Sequence, residues 1–183
     1  ASVGALNAFS DHRRAALWEA EREPRPDELF THSPPPGEPT VSPLRPMNPW
    51  ERTEADYAGL RLTTGPHPME RVRSALREVH TAGALRRAAH GIRVQVAGQV
   101  ICRQRPGTAK GVCFISLEDE TGITNVIVSA RLFESERLKI TQEPFLQVHG
   151  VVQQRQGTTH VKAFRLEPLS ISGLQTAASH DFG

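Results

Sequence analysis

Three cations crowd the stretch RQRPGTAKGV: Arg103, Arg105 and Lys110. Phe114 comes four residues later, and Glu118, Asp119 and Glu120 follow in a row. Each group has a chemistry of its own. Guanidinium and ammonium groups on a loop meet phosphate oxygens through charge, without reading sequence. An outward aromatic ring offers its face to a nucleobase. Adjacent carboxylates hold hard cations or serve as general acid and base. The elements that carry these residues decide which chemistry applies.

The loop does not have the spacing of a nucleotide-binding P-loop, which needs GxxxxGK[ST] between a strand and a helix. Here RPGTAKGV leads into a second alternating stretch, GVCFISL, so a hairpin is expected. Gly107 and Gly111 would allow its tight turn. The acids read as a turn, because DETG sets Asp119 first and Gly122 last, the order a type I turn favours. No second acidic cluster lies nearby to complete a catalytic pair. The eight histidines show no HExxH or HxxEH spacing. Cys102 and Cys113 are too few for a zinc site and read as two unbridged, buried thiols facing each other across the hairpin. No catalytic residue and no metal ligand is therefore assigned.

Hydrophobic periodicity supplies the scaffold. In IRVQVAGQVICR, residues Ile92, Val94, Val96, Val100 and Cys102 share one face at period two. GVCFISL (111–117), ITNVIV (123–128), PFLQVHGVVQQ (144–154) and THVKAFRL (159–166) continue as strands, rich in β-branched residues and separated by glycine-containing turns. SARLFESERLKI, between the third and fourth, suits a short helix. Gly98 inside the long first strand marks the bend of a small barrel. Three strands, a helix and two strands is the order of the OB-fold. The predicted class is α+β: helical N-terminal segments, then a five-stranded OB-fold β-barrel with a helix between strands 3 and 4.

Upstream, GALNAFSDHRRAALWEAE reads as a helix capped by Ser10 or Asp11. Residues 24–46 are proline-rich and predict an extended connector. Asn48-Pro49 opens a helix that Gly59 should stop. Pro68 opens another, with Met69, Val72, Leu76 and Val79 as its stripe, ending near Gly83. The expected organisation is a helical end (1–23), a linker (24–47), a helical connector (48–90), the OB-fold domain (91–167) and a tail (168–183).

Charge is uneven. Residues 1–78 hold 10 Lys/Arg against 12 Asp/Glu, and residues 79–183 hold 12 against 8. No acid occurs from Val79 to Leu117 or from Pro144 to Leu166, which suggests a polyanionic partner for the second half. OB-folds bind single strands on the face of strands two and three, with the loops between strands 1–2 and 4–5. Both loops are basic here. The expected contacts are Arg103, Arg105, Lys110, Arg155, His160 and Lys162. Phe114 alternates with Cys113, Ile115 and Leu117, which read as inward, so it is expected outward as a stacking face; turned inward it would be core. Phe133 and Phe164 are read as core. No apolar run approaches the ~20 residues that span a bilayer, and no secretory signal opens the chain, so a cytoplasmic setting without membrane contact is expected. Ala1 in place of an initiator Met points to a fragment, expected to be monomeric.

RQRPGTAKGVCFISLEDETGITNVIV closely resembles the OB-fold region of bacterial C-family DNA polymerases, in particular the error-prone ImuC type. GALNAF…RRAALWE resembles the end of that family's helix-hairpin-helix region, and ADYAGLRLTTGPHPM the helical segment after it. The final SHDFG resembles the family's Ser-Arg-Asp-Phe ending, with His180 in place of Arg. The resemblance implies a C-terminal, non-catalytic fragment without a cofactor; the parent polymerase would need Mg2+. It implies translesion synthesis in the SOS response, alongside an ImuB-like Y-family polymerase homologue and the sliding clamp. PDELF resembles the end of a clamp-binding peptide, which makes Leu29 and Phe30 the candidate clamp contacts, although Pro26 stands where that peptide has Gln. Two other readings stay open: a module that docks mutasome partner proteins, and a tRNA-anticodon OB domain, which shares the F-x-x-L-x-D strand end.

Overall fold

The computed structural model describes residues 2–8, 12–21, 42–60, 62–155, 157–171 and 180–182. The proline-rich connector, Ser10, Asp11, Leu29 and Phe30 fall almost entirely outside them, with only residues 42–46 of the connector described. The chain divides into two compact units, Ala1–Gly65 and Pro66–Gly183.

The first unit holds α1 (Arg13–Glu21) and α2 (Pro49–Leu60). Asn48 caps α2: its side chain accepts from the Glu51 amide, and Glu51 accepts from the Asn48 amide, both at 2.8 Å. This reciprocal pair satisfies two donors that the helix start leaves open. Gly59 lies inside α2 rather than stopping it. Arg13 of α1 is ion-paired with Asp56 of α2, and Asp56 also accepts from Thr63.

The second unit begins with α3 (Pro68–Arg73), β1 (Val79–His80) and α4 (Ala82–Leu85). The single helix expected from Pro68 to Gly83 is thus divided. Glu78 adopts a left-handed backbone, φ 58°, and Val79 joins a sheet. The apolar stripe still does its work: Met69 is fully buried with Ala97 and Phe145, and Val72, Leu76 and Val79 pack on them. Hydrophobic periodicity located the buried residues correctly. It could not distinguish one helix from a short helix followed by a strand.

The barrel follows: β2 (Arg93–Gln104), β3 (Cys113–Asp119), β4 (Gly122–Val128), α5 (Ala130–Ser135), α6 (Arg137–Gln142), β5 (Phe145–Arg155) and β6 (Thr158–Pro168). The strands are ordered β2-β3-β4-β6-β5, and β2 closes the ring by pairing with β5. Only β4 and β6 run parallel within it. This is the closed five-stranded OB-fold barrel. β1 and a last strand, β7 (His180–Phe182), add in parallel to β2. Val96, Ile115, Leu117, Val126, Val148 and Val161 fill the interior, with Phe133 and Ile140 from the helices.

β2 serves both sides of the closure. Arg93–Gln99 pair with β5, and Gln99–Gln104 pair with β3. Gly98 sits at the change of partner, where a Cβ would lie 2.6 Å from the Glu118 carbonyl oxygen. Just beyond, the register with β3 shifts between Val100 and Cys102. A bulge of this kind inserts one residue and inverts the inside–outside alternation after it. The inversion decides the fate of Arg103.

Candidate nucleic-acid interface

Without the bulge, Arg103 would point outward with Arg93. With it, Arg103 pairs with the inward residue Ile115 and is 7% exposed. Its guanidinium donates to the carbonyl of Ile140, and its Nη2 donates to the carbonyl of Glu143 at 2.6 Å. These are acceptors at the end of α6, which a helix leaves unpaired. Arg103 is a buried helix cap and not a phosphate contact, contrary to the sequence reading. The same shift moves Cys102 opposite Ser116, while Cys113 pairs with Val128. The two cysteines do not face each other, neither forms a disulfide, and only Cys113 is buried.

Arg105 remains at the surface but is engaged. Its Nη2 donates to Glu134 at 2.7 Å, and its guanidinium carbon lies 4.3 Å from the Phe133 ring centroid. It ties the β2–β3 loop to α5. Lys110 is exposed on that loop, with a left-handed backbone at φ 50°. Arg155 is exposed at the far end of β5, paired with Thr158 across the second loop.

β3 alternates strictly, with Cys113, Ile115, Leu117 and Asp119 buried. Phe114 therefore faces out, at 38% exposed. Registers carry it across the sheet: Gln104 pairs with Phe114, Phe114 with Ile127, and Ile127 with exposed Lys162. A neighbouring row runs Cys102, Ser116, Asn125, His160 and Gln153. Strands about 4.8 Å apart make these rows continuous surfaces. The expected residues Phe114, Lys162 and His160 are thus brought onto one face, with Lys110 and Arg155 on its two loops. His160 is half-buried, and its Nδ1 has no hydrogen-bond partner. Sequence reasoning missed Gln104, Ser116, Asn125 and Ile127; alternation marks the last three, whereas the bulge in β2 hides Gln104.

The acids do different work. Asp119 Oδ1 accepts from the Thr121 amide and hydroxyl at 2.7 Å, and its Oδ2 accepts from the Ala82 amide at 2.8 Å. Arg73 Nη2 reaches Asp119 at 3.2 Å and Glu120 at 2.9 Å, and its Nε reaches Glu120 at 2.6 Å. The acids form the β3–β4 turn and clamp α3 and α4 to it. Burial alone would raise the Glu120 carboxyl, but the hydrogen bonds and charge of Arg73 outweigh it and leave the pKa lowered. Among the described residues, no group of three or more His, Cys, Asp or Glu is arranged to hold a metal ion. No helix among them is long and apolar enough to cross a membrane.

Phe164 was read as core and is instead 52% exposed. Its alternation with buried Val161 and Ala163, in step with exposed Lys162, is visible in the sequence.

Residues 94–169 match a family described as an OB-fold nucleic acid binding domain. Along its whole length the chain is 41% identical to an error-prone DNA polymerase of Azoarcus sp. (strain BH72) and 39% identical to one of Pseudomonas paraeruginosa. It spans 17% and 18% of the length of those two relatives. Among solved structures, asparaginyl-tRNA synthetase from Pyrococcus horikoshii aligns at a TM-score of 0.44 with 22% identity, over 50% of this chain and 23% of that one.

Proposed function

We propose, for a chain homologous to one segment of error-prone DNA polymerases, that the barrel binds single-stranded template DNA and performs no chemistry itself. The outward row Phe114–Ile127–Lys162 carries this reading. It sets a stacking face and a cation on one sheet, with Lys110 and Arg155 on the flanking loops. Stacking and phosphate contacts do not read base edges. They therefore suit an enzyme that must accept any template, damaged positions included. In the parent polymerase the barrel would hold template during translesion synthesis in the cytoplasmic SOS response, beside an ImuB-like homologue and the sliding clamp. The parent's Mg2+ belongs with its polymerase centre. This chain needs no cofactor.

A second reading, docking of a protein partner, draws on the exposed apolar residues Phe114 and Ile123 of the same sheet. Titration of labelled single-stranded DNA at about 50 and 200 mM salt separates the two. Binding that weakens with salt supports the DNA reading. Phe114→Ala should then cost about 1–3 kcal/mol with an unchanged melting temperature. Absent or salt-insensitive binding transfers the face to a protein partner. An RNA strand of the same sequence, run in parallel, tests the anticodon-type alternative. Primer extension by the chain with Mg2+, above a mock preparation, would overturn its non-catalytic role.

A further inference from the structure

We propose that the cleft beside Phe164 is a second base-stacking subsite for single-stranded DNA, where the strand continues past Lys162 onto β5 and the start of β2. This rests on the single-strand reading above and extends it to a face that OB-folds do not ordinarily use.

Continuity with the first row is the leading observation. Lys162 pairs with Val151, and Val151 pairs with Arg93. The outward row that starts at Gln104 therefore runs around the barrel to Arg93. Phe164 lies two residues beyond Lys162 on β6, roughly 6.6 Å along the strand. There the β5–β6 register shifts: His149 pairs with Arg165 and Gly150 with Ala163, so Phe164 is the inserted residue. Alternation keeps Phe164 on the outer face in step with Lys162, and the bulge leaves its half-exposed ring with no residue opposite it.

The ring adjoins a cleft of about 380 Å³ lined by Glu78, His80, Arg93, Gln95, His149 and Phe164. The Arg93 guanidinium carbon lies 5.8 Å from the Phe164 centroid, near the outer limit of a cation–π contact. The His149 ring is tilted by 47° at 6.5 Å. One imidazole nitrogen, His80 Nδ1, is buried and makes no hydrogen bond. Buried polar atoms without partners are uncommon and ask for an explanation. The edge of a base laid on Phe164 supplies both donors and acceptors.

Charge selects a base over a phosphate. Arg93 and Arg165 are offset by Glu78 and Glu167, and Arg165 is itself ion-paired with Glu167. His149 Nε2 stands 3.7 Å from Glu167. A near-neutral cleft with an aromatic wall gives stacking without counterion release, so this subsite should add affinity without adding to the salt slope.

The test compares the 183-residue chain with its Phe164→Ala and Phe114→Ala variants on labelled oligothymidylates of roughly 5 and 15 nucleotides, spanning the usual OB-fold site sizes. Phe164→Ala should weaken the longer strand about tenfold with an unchanged salt slope, leave the shorter one unaffected, and be rescued by Phe164→Trp. Photo-crosslinking of a 5-iododeoxyuridine-substituted 15-mer should place adducts on both Phe114 and Phe164. If Phe114→Ala weakens binding while Phe164→Ala changes neither strand, the subsite is overturned and the primary reading stands. A flattened salt slope in Phe164→Ala would overturn the stacking assignment. If the parent chain binds neither strand, both readings fall.

Discussion

Arg103 Nη2 donates to the Glu143 carbonyl oxygen at 2.6 Å, and so fastens β2 to the end of α6. The residue that looked like the leading phosphate contact is a structural pin. Its guanidinium donates to backbone acceptors inside the unit, and only 7% of the residue is exposed.

Arg103→Ala should therefore lower stability by about 2–3 kcal/mol, as expected for buried hydrogen bonds from a charged donor. Denaturant midpoints measure the loss. DNA affinity per folded molecule and its salt slope should not change. Arg103→Lys should recover only part of the stability, because an ammonium lacks the guanidinium fork that spans two carbonyls.

Acid should loosen the packing of α3 on the barrel in two stages. Burial, the main cause, lowers the His67 pKa against the opposing pull of Glu118, Glu120 and Asp119. Its Nδ1 must stay unprotonated to accept from the Met69 amide at 3.1 Å. The Glu120 carboxyl is also lowered, for the reasons given above. In both cases the unfolded chain takes the proton first. The stability each group contributes is whole above its ordinary value and falls as pH drops through its folded one. Decline should begin below 6.5 through His67 and steepen below 4.5 through Glu120. His67→Asn, which keeps a helix cap, should remove the first stage, and Glu120→Gln should flatten the second. Melting temperature against pH checks both.

Alternation made the strands, the barrel order and outward Phe114 legible in the sequence, because period two survives wherever pairing is regular. It failed where pairing is irregular. The bulge near Cys102 inverted the face of Arg103, and the β5–β6 shift set Arg165 on the outer face beside Phe164. Nor could sequence show that Arg105 is held by Glu134 from a helix 29 residues away. A basic residue reads the same whether its charge is free or already paired. The engagement of the cations was therefore less legible than the facing of the regularly paired residues of β3.

Gly150 tests the closure of the barrel. A Cβ there would lie 2.6 Å from the Lys162 carbonyl oxygen and against the Val161 side chain. Gly150→Ala should cost about 1–3 kcal/mol, the usual range for forcing an added methyl into a packed interior. Gly157, with open space around its Cβ position, is the contrast. Its φ of +77° makes the Gly157→Ala cost one of backbone strain alone, about 1 kcal/mol. Chemical denaturation should rank Gly150→Ala below Gly157→Ala.

Pairing also ranks the cations in DNA binding. Lys110, Arg155 and Lys162 are exposed, and each ion that meets a phosphate releases counterions. Replacing any one by Ala should weaken single-strand binding for every sequence and flatten the salt slope by about 0.7. Arg105 is partly neutralised by Glu134 and rests on Phe133, so Arg105→Ala should flatten it by less. The converse variant is sharper. Glu134→Gln removes the competing carboxylate and leaves Arg105 free to meet a phosphate. The exposed pair is worth at most about 1 kcal/mol, so the fold should tolerate the change. Affinity should rise at low salt and the slope should steepen. If Glu134→Gln leaves both unchanged, Arg105 does not meet the strand, and the β2–β3 loop contributes through Lys110 alone.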